Sequence, residues 1–218
     1  MRQTIAYLVT VVILLLSQSA ASQQEKTADY RAALSLMWGS LYEGGGRTLY
    51  CNEEFGRNKG RGINVEHVMP MSWAAYTLKC GPRDECRRTS RRFNYIEADL
   101  HNMWPSRVDV NKARRSYPFA IVKGEARPFP GCDIEIDERN RKVEPRAPVR
   151  GEIARSMFYM HDAYGISIRP SLGRTLKRWN QQDPVSDEER RRNDVIESLQ
   201  GVRNPFIDDP QRASRLRF

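Results

Sequence analysis

An export signal followed by four cysteines constrains the fold of this chain more than any other feature. Arg2 precedes an apolar run from Ile5 to Leu16, and then comes Ser17-Gln18-Ser19-Ala20-Ala21. A charged start, a short hydrophobic centre and a small-residue cleavage site make the layout of a secretory signal peptide. The run is too short to cross a bilayer, which takes about 20 apolar residues, and no other stretch is longer. The expected cut follows Ala21, with Ala20 as second choice, so residues 1–21 are removed and the rest folds in a periplasm or outside the cell. There Cys51, Cys80, Cys86 and Cys132 read as two disulfides. Three pairings are open. Cys80 and Cys86 flank a Gly81-Pro82 turn and could close a small loop, which would leave Cys51 with Cys132. A zinc site fits less well, because there is no Cys-x-x-Cys and no matching histidine pair.

The 218 residues suffice for one domain with a real core and are short for two. Tyr30, Ala33, Leu34, Met37, Trp38 and Leu41 recur at helical spacing, predicting an amphipathic helix over 29–42 that stops at Gly44. The stretch 48–61 reads as irregular. Ile63 to Met69 alternates like a strand and ends at Pro70, and Trp73 to Leu78 reads as a short helix. Asn102 to Pro105 reads as a turn, with Ser106 capping a helix through Arg115. A strand at Ile134 and Ile136 should pair with Lys142-Val143. Helices are expected at 151–164, at 172–180, and at 187–200 behind the capping box Ser186/Glu189. The fold class is α+β, a mainly helical single domain over 22–208 with a loose basic tail at 209–218.

Lys and Arg number 36 against 27 Asp and Glu, a net charge of +9. That suits a nucleic acid, an anionic membrane surface or an acidic polysaccharide. Two stretches narrow the choice: Val65-Glu66-His67-Val68-Met69-Pro70, and Asp99-Leu100-His101-Asn102-Met103-Trp104-Pro105 running on to Val110-Asn111. Phosphodiester hydrolysis needs a deprotonated water, charge neutralisation on the phosphate and help for the departing oxygen. A histidine can accept the proton. A divalent ion can serve the other two needs, and Mg²⁺ requires only a carboxylate and an amide oxygen beyond its own waters. Glu66, His67 and Asn111 supply that set. Adjacent strand residues face opposite ways, so Glu66 and His67 can share one site only if the strand bulges or ends there.

The chain resembles the endonuclease I family of periplasmic and secreted bacterial nucleases, within the ββα-metal (His-Me finger) superfamily. The resemblance rests on Glu66-His67-Val68-Met69-Pro70, Glu97-Ala98-Asp99-Leu100-His101-Asn102, Val110-Asn111, Glu144-Pro145-Arg146, Val149-Arg150-Gly151, Phe158-Tyr159-Met160 and Arg203-Asn204-Pro205-Phe206-Ile207-Asp208. It implies a small ββα-metal nuclease core within the helical domain. It implies His67 as general base, Glu66 and Asn111 as ligands of one Mg²⁺ (Mn²⁺ or Ca²⁺ in its place), and Arg83 on the phosphate, with Arg87 or Arg88 as substitutes. The substrate would be DNA, and RNA as well, cut with little sequence preference to 5′-phosphate ends.

Other residues carry plainer readings beside the sharp ones. His101 could be a second ligand but reads better as a hydrogen-bonding residue beside the site. Asn102 would orient His67. Glu97 and Asp99 could join the metal shell, with capping or ion-pairing as the plainer reading for each. Arg87, Arg88, Arg91 and Arg92 form a basic cluster that could touch phosphates or be a solvated face. His161 lies on an apolar helix stripe as a core-edge residue. The rival for the whole chain is an exported basic nucleic-acid-binding protein without catalysis. Either way the chain should act as a monomer with no membrane partner after signal removal.

Overall fold

The computed structural model describes residues 21–124 and 128–218. The expected signal peptide, apart from Ala21, lies outside them. Among the described residues no helix is long and apolar enough to cross a membrane.

Helix α1 (Tyr30–Leu36) is capped by Asp29, whose side chain accepts from the Ala32 N–H, and continues as a π-helical turn through Leu41. The stretch expected to be irregular contains the second strand of a small hairpin, β1 (Gly45–Arg47) with β2 (Glu54–Gly56). Three-residue strands are too short to leave a period-two signature. Then come β3 (Ile63–His67), α2 (Met71–Leu78), α3 (Arg83–Thr89) and α4 (Arg91–Glu97). A 3-10 turn at Leu100–Asn102 leads into β4 (Met103–Arg107) and α5 (Val108–Arg114). The second half holds the hairpin β5 (Ile134–Asp137) and β6 (Lys142–Pro145), then α6 (Arg150–Tyr164), α7 (Pro170–Gln182), α8 (Asp187–Gln200) and α9 (Pro205–Asp208). The chain is α+β, as its sequence predicts, and the predicted capping box of α8 is present in both directions.

The element that positions the site is the antiparallel ribbon β3–β4, followed directly by α5. Its register places Ile63 opposite Arg107, Val65 opposite Pro105, Glu66 opposite Trp104 and His67 opposite Met103. The expected turn at Asn102–Pro105 is therefore wrong beyond Asn102. Proline lacks a donor, but a two-stranded ribbon has free edges where that is tolerated, and the Pro105 carbonyl still accepts from the Leu49 N–H. Ser106 lies inside β4, so it does not cap α5; Arg107 holds that place, its guanidinium on the Asp109 carboxylate and not on the backbone of the helix.

Alternation along the ribbon feeds two apolar clusters. Ile63 and Met103 join Met37, Leu41, Phe55 and Ile196 on one side. Trp104, with Val68 and Met69 just past β3, joins the cluster built on Met157, Phe158 and Met160 of α6 and on Phe93 and Ile96 of α4. Each fully buried side chain of this size contributes about 1.5–3 kcal/mol, so the ribbon is fixed from both faces.

Both disulfides form as the small-loop pairing suggests, Cys80–Cys86 and Cys51–Cys132. The second spans 81 residues. In the chain-entropy account such a loop removes about 4.5 kcal/mol of denatured-state freedom, roughly twice what the small loop removes.

The tail is not loose. A 3-10 helix runs over Pro210–Arg215 with Ala213 buried. The Phe218 ring stacks on Phe158 and packs against His161, and the Lys177 ammonium donates to the carbonyls of Ser214 and Leu216. The basic residues that suggest a solvated tail are interleaved with apolar anchors too sparse to register as a pattern.

Candidate active site

An open cleft of about 1120 Å³ lies over the end of the ribbon. Glu66 and His67 line it from β3, Asn111 and Arg114 from α5, Ser72, Ala75, Tyr76 and Lys79 from or beside α2, Arg83 from α3 and Tyr30 from α1. Its cationic lining residues are Lys79, Arg83, Lys112, Arg114 and Arg115, and its single carboxylate is Glu66. Phosphate oxygens would meet a strongly positive field here.

β3 pairs with β4 in unbroken register through His67, so Glu66 and His67 turn to opposite sides, and both line the cleft. The His67 side chain reaches α4, where Nε2 lies 2.9 Å from the Glu97 carbonyl oxygen. A carbonyl can only accept, so Nε2 carries the proton and Nδ1 keeps the basic lone pair. Burial is the largest cause that lowers the His67 pKa, to about 4, and the nearby Arg83 charge adds to it. The imidazole is therefore neutral at physiological pH, with Nδ1 unprotonated.

Glu66 is 2 % exposed. Its Oε1 accepts from the Tyr50 hydroxyl at 2.7 Å and lies 3.2 Å from Arg114 Nη1. Burial raises its carboxyl above the ordinary range, against the pull of Arg114 and the Tyr50 hydroxyl. Arg114 also donates to the Val68 carbonyl at 2.7 Å, and its guanidinium lies over the Phe119 ring. Asn111 donates through Nδ2 to Asn64 Oδ1 at 3.0 Å and to the Val65 carbonyl at 2.8 Å. With both amide protons engaged, Oδ1 is the acceptor that remains.

Those donors can be tested against a metal. Among the described residues no three His, Cys, Asp or Glu gather in a cage. What the cleft offers is one carboxylate and one carboxamide oxygen, hard donors and few of them. That set fits a small hard cation that keeps several waters and would not fit a tightly caged one.

Of the readings open for Glu97, the structure shows the ion pair. Its carbonyl holds His67, while its buried carboxylate receives Arg83 Nε at Oε1 and Arg87 Nε at 2.8 Å on Oε2. Burial works to raise its pKa, but the hydrogen bonds and charges of Arg87 and Arg83 prevail and lower it. The Tyr30 ring lies beneath both guanidinium groups, at 5.5 and 5.3 Å, and 5.7 Å from the His67 ring. Arg83 thus reaches the cleft with its Nε anchored. Arg87 has the same anchor but does not line the cleft.

The remaining predicted residues scatter. Asn102 makes a two-pronged bond to Met69, accepting from its N–H at 2.7 Å and donating to its carbonyl at 3.0 Å. It fixes the chain just beyond His67 without touching the ring. His101 is turned away from the cleft: its Nε2 meets the Val202 carbonyl at 3.1 Å and its ring packs on Tyr159. Asp99 is buried under the hydroxyls of Tyr159 and Tyr164 and is likewise not near the cleft lining. Arg91 bonds the Tyr95 hydroxyl, Arg92 the Tyr164 carbonyl, and neither they nor Arg88 line the cleft. Tyr30, Tyr50 and Arg114 were missed. For Arg114 a signal existed, since it falls three residues after Asn111 on the same helix face.

Comparison with known proteins places the chain. The family model described as Endonuclease I matches residues 41–211. A "Periplasmic deoxyribonuclease" of Aeromonas hydrophila is 35% identical over 155 residues, 69% of this chain and 65% of that protein. An "Extracellular deoxyribonuclease" of the same species is 35% identical over 150 residues, 67% of this chain and 65% of that protein. An "Extracellular ribonuclease" of Bacillus subtilis (strain 168) is 33% identical over 190 residues, 77% of this chain and 60% of that protein. The chain spans somewhat less than two thirds of the length of these relatives.

Proposed function

The chain belongs to the endonuclease I family, and on that premise we propose that it is an exported nuclease hydrolysing phosphodiester bonds of DNA, and of RNA as well. Relatives bearing both deoxyribonuclease and ribonuclease names support the breadth, and periplasmic and extracellular names support export. The observation that carries the reading is the cleft itself. It joins a neutral imidazole with a fixed tautomer, a carboxylate and carboxamide with oxygens to offer, and five cationic side chains.

In this mechanism Glu66 and Asn111 would hold Mg²⁺, which would supply Lewis-acid stabilisation of charge on the phosphate and the departing oxygen. His67 Nδ1 takes a proton from the attacking water as its oxygen bonds to phosphorus. The bond from phosphorus to the 3′-oxygen breaks, that oxygen acquires a proton from solvent, and a 5′-phosphate remains. Arg83, anchored through Nε to Glu97, balances charge on the phosphate with the outer edge of its guanidinium. The charged groups of the cleft address phosphate, which carries no sequence information, so little sequence preference is expected.

Nicking of supercoiled plasmid with Mg²⁺ and with EDTA tests this. The proposal predicts cutting with Mg²⁺ and none with EDTA. Salt-sensitive binding without cutting would favour the exported binding protein, and cutting in EDTA would overturn the role given to Glu66 and Asn111.

A further inference from the structure

Among the described residues two large apolar side chains stay well exposed, Tyr76 at 86% and Ile121 at 48%. A single exposed aromatic ring is ordinary on a protein surface. The position of Tyr76 is not, because it lines the cleft. Ser72, Ala75, Tyr76 and Lys79 follow the spacing of one helix face, and all four border the cleft. Asn111, Lys112, Arg115 and Ser116, on α5 and at its end, line the cleft as well. The two stretches are tied where the Ser72 hydroxyl donates to the Ser116 hydroxyl at 2.9 Å.

Helix α2 is firmly held. Met71 and Ala75 on α2 are buried in the main core, and Lys79 ends the helix in a left-handed conformation, its N–H returning to the carbonyls of Ala75 and Tyr76. The Cys80–Cys86 disulfide follows at once. Tyr76 is therefore an exposed ring on a rigid support, with exposed Lys79 at the end of its own helix and exposed Lys112 and Arg115 in the same cleft lining. Aromatic faces interleaved with cations are what a single nucleic-acid strand uses: bases stack on the rings while the phosphates meet the charges. A duplex base cannot do this without leaving its own stack.

We propose that Tyr76 is a stacking platform for an unpaired base of a strand lying in the cleft, with Lys79 and Arg115 on the flanking phosphates. The enzyme then holds single strands, or frayed ends of duplexes, more tightly than intact duplex. The inference rests on the nuclease reading, whose substrate it specifies further.

The test compares full-length wild type with Tyr76→Ala and Tyr76→Trp. Binding of fluorescein-labelled oligothymidylate and of a duplex of equal length is followed by anisotropy in EDTA, and kcat/KM on both is measured with Mg²⁺. Tyr76→Ala should weaken single-strand binding roughly tenfold, as loss of one base–aromatic stack implies. Duplex binding and Tm should be unchanged, and Tyr76→Trp should restore single-strand affinity. Equal loss on both substrates, or no loss on either, overturns the platform while leaving the nuclease reading intact. A wild type that binds and cuts neither substrate overturns both.

Discussion

The molecule buries the same kit of groups twice, once at the cleft and once between α6 and α8. Each place has a buried histidine bonded through Nε2 to a backbone carbonyl, and each has a buried arginine–glutamate pair. Beside α6 the histidine is His101 and the pair is Arg155 with Glu189. The pair there is closed: Arg155 reaches both Glu189 oxygens at 2.6 and 2.7 Å, Asn180 Oδ1 at 3.1 Å and the Asp183 carbonyl at 2.9 Å. At the cleft, Arg114 Nη1 lies 3.2 Å from Glu66 Oε1, and Asn111, with both amide protons engaged, keeps its acceptor oxygen in the cleft lining. A saturated network stabilises a fold; a network with donors and acceptors left over, opening on solvent, is available to a ligand. The difference between the two places is valence, not composition.

The largest effect should fall on His67. His67→Ala should lower plasmid cutting at least ~10²-fold, the usual scale for a general base, with the protein still folded. His101→Ala should instead lower Tm and leave kcat per folded molecule unchanged. Equal catalytic losses in the two variants would erase the distinction between the regions.

The saturated pair should answer in stability. Arg155→Ala strands Glu189 in the core and should cost about 3–5 kcal/mol in denaturant unfolding, with activity of the folded fraction retained. A cost under 1 kcal/mol would show that the network is less closed than its geometry.

A smaller effect concerns pH. The folded pKa of His67 is about 4, below its unfolded value of about 6.5. Its contribution to stability is thus complete above about 6.5 and is lost as pH falls toward the folded value. The acid limb of kcat/KM should accordingly lie well below 6.5. Arg83→Gln removes one cause of the depression, with burial the larger one remaining, and should move that limb upward. A wild-type limb at the ordinary histidine value would contradict the burial argument.

The same contrast explains what could be read in the sequence. Helices α6 and α8 were legible because long apolar stripes and a capping box are local signals. His67, Glu66 and Asn111 were grouped from the sequence because their proposed chemistry is incomplete unless they meet, and all three line one cleft. β4 was misread because Asn102 and Pro105 are turn residues in most settings, and only the free edge of a two-stranded ribbon makes Pro105 acceptable. His101 stands in a site-like stretch, but the 3-10 turn at Leu100–Asn102 directs it toward α6. Tyr50 was missed because nothing local separates a buried tyrosine from a solvated one, and its partner Glu66 is 16 residues away; Arg114 offered only its spacing from Asn111, its own partner Glu66 being 48 residues away. The tail was misjudged for the reverse reason, its charges being plain and its anchors few.

Cation binding tests the central claim most directly. Titration of the full chain with Mn²⁺, followed by electron paramagnetic resonance, should show one site per chain. That site should be lost or much weakened in Glu66→Gln and in Asn111→Ala and retained in His67→Ala. A site that survives both ligand substitutions, or disappears with His67→Ala alone, would contradict the account.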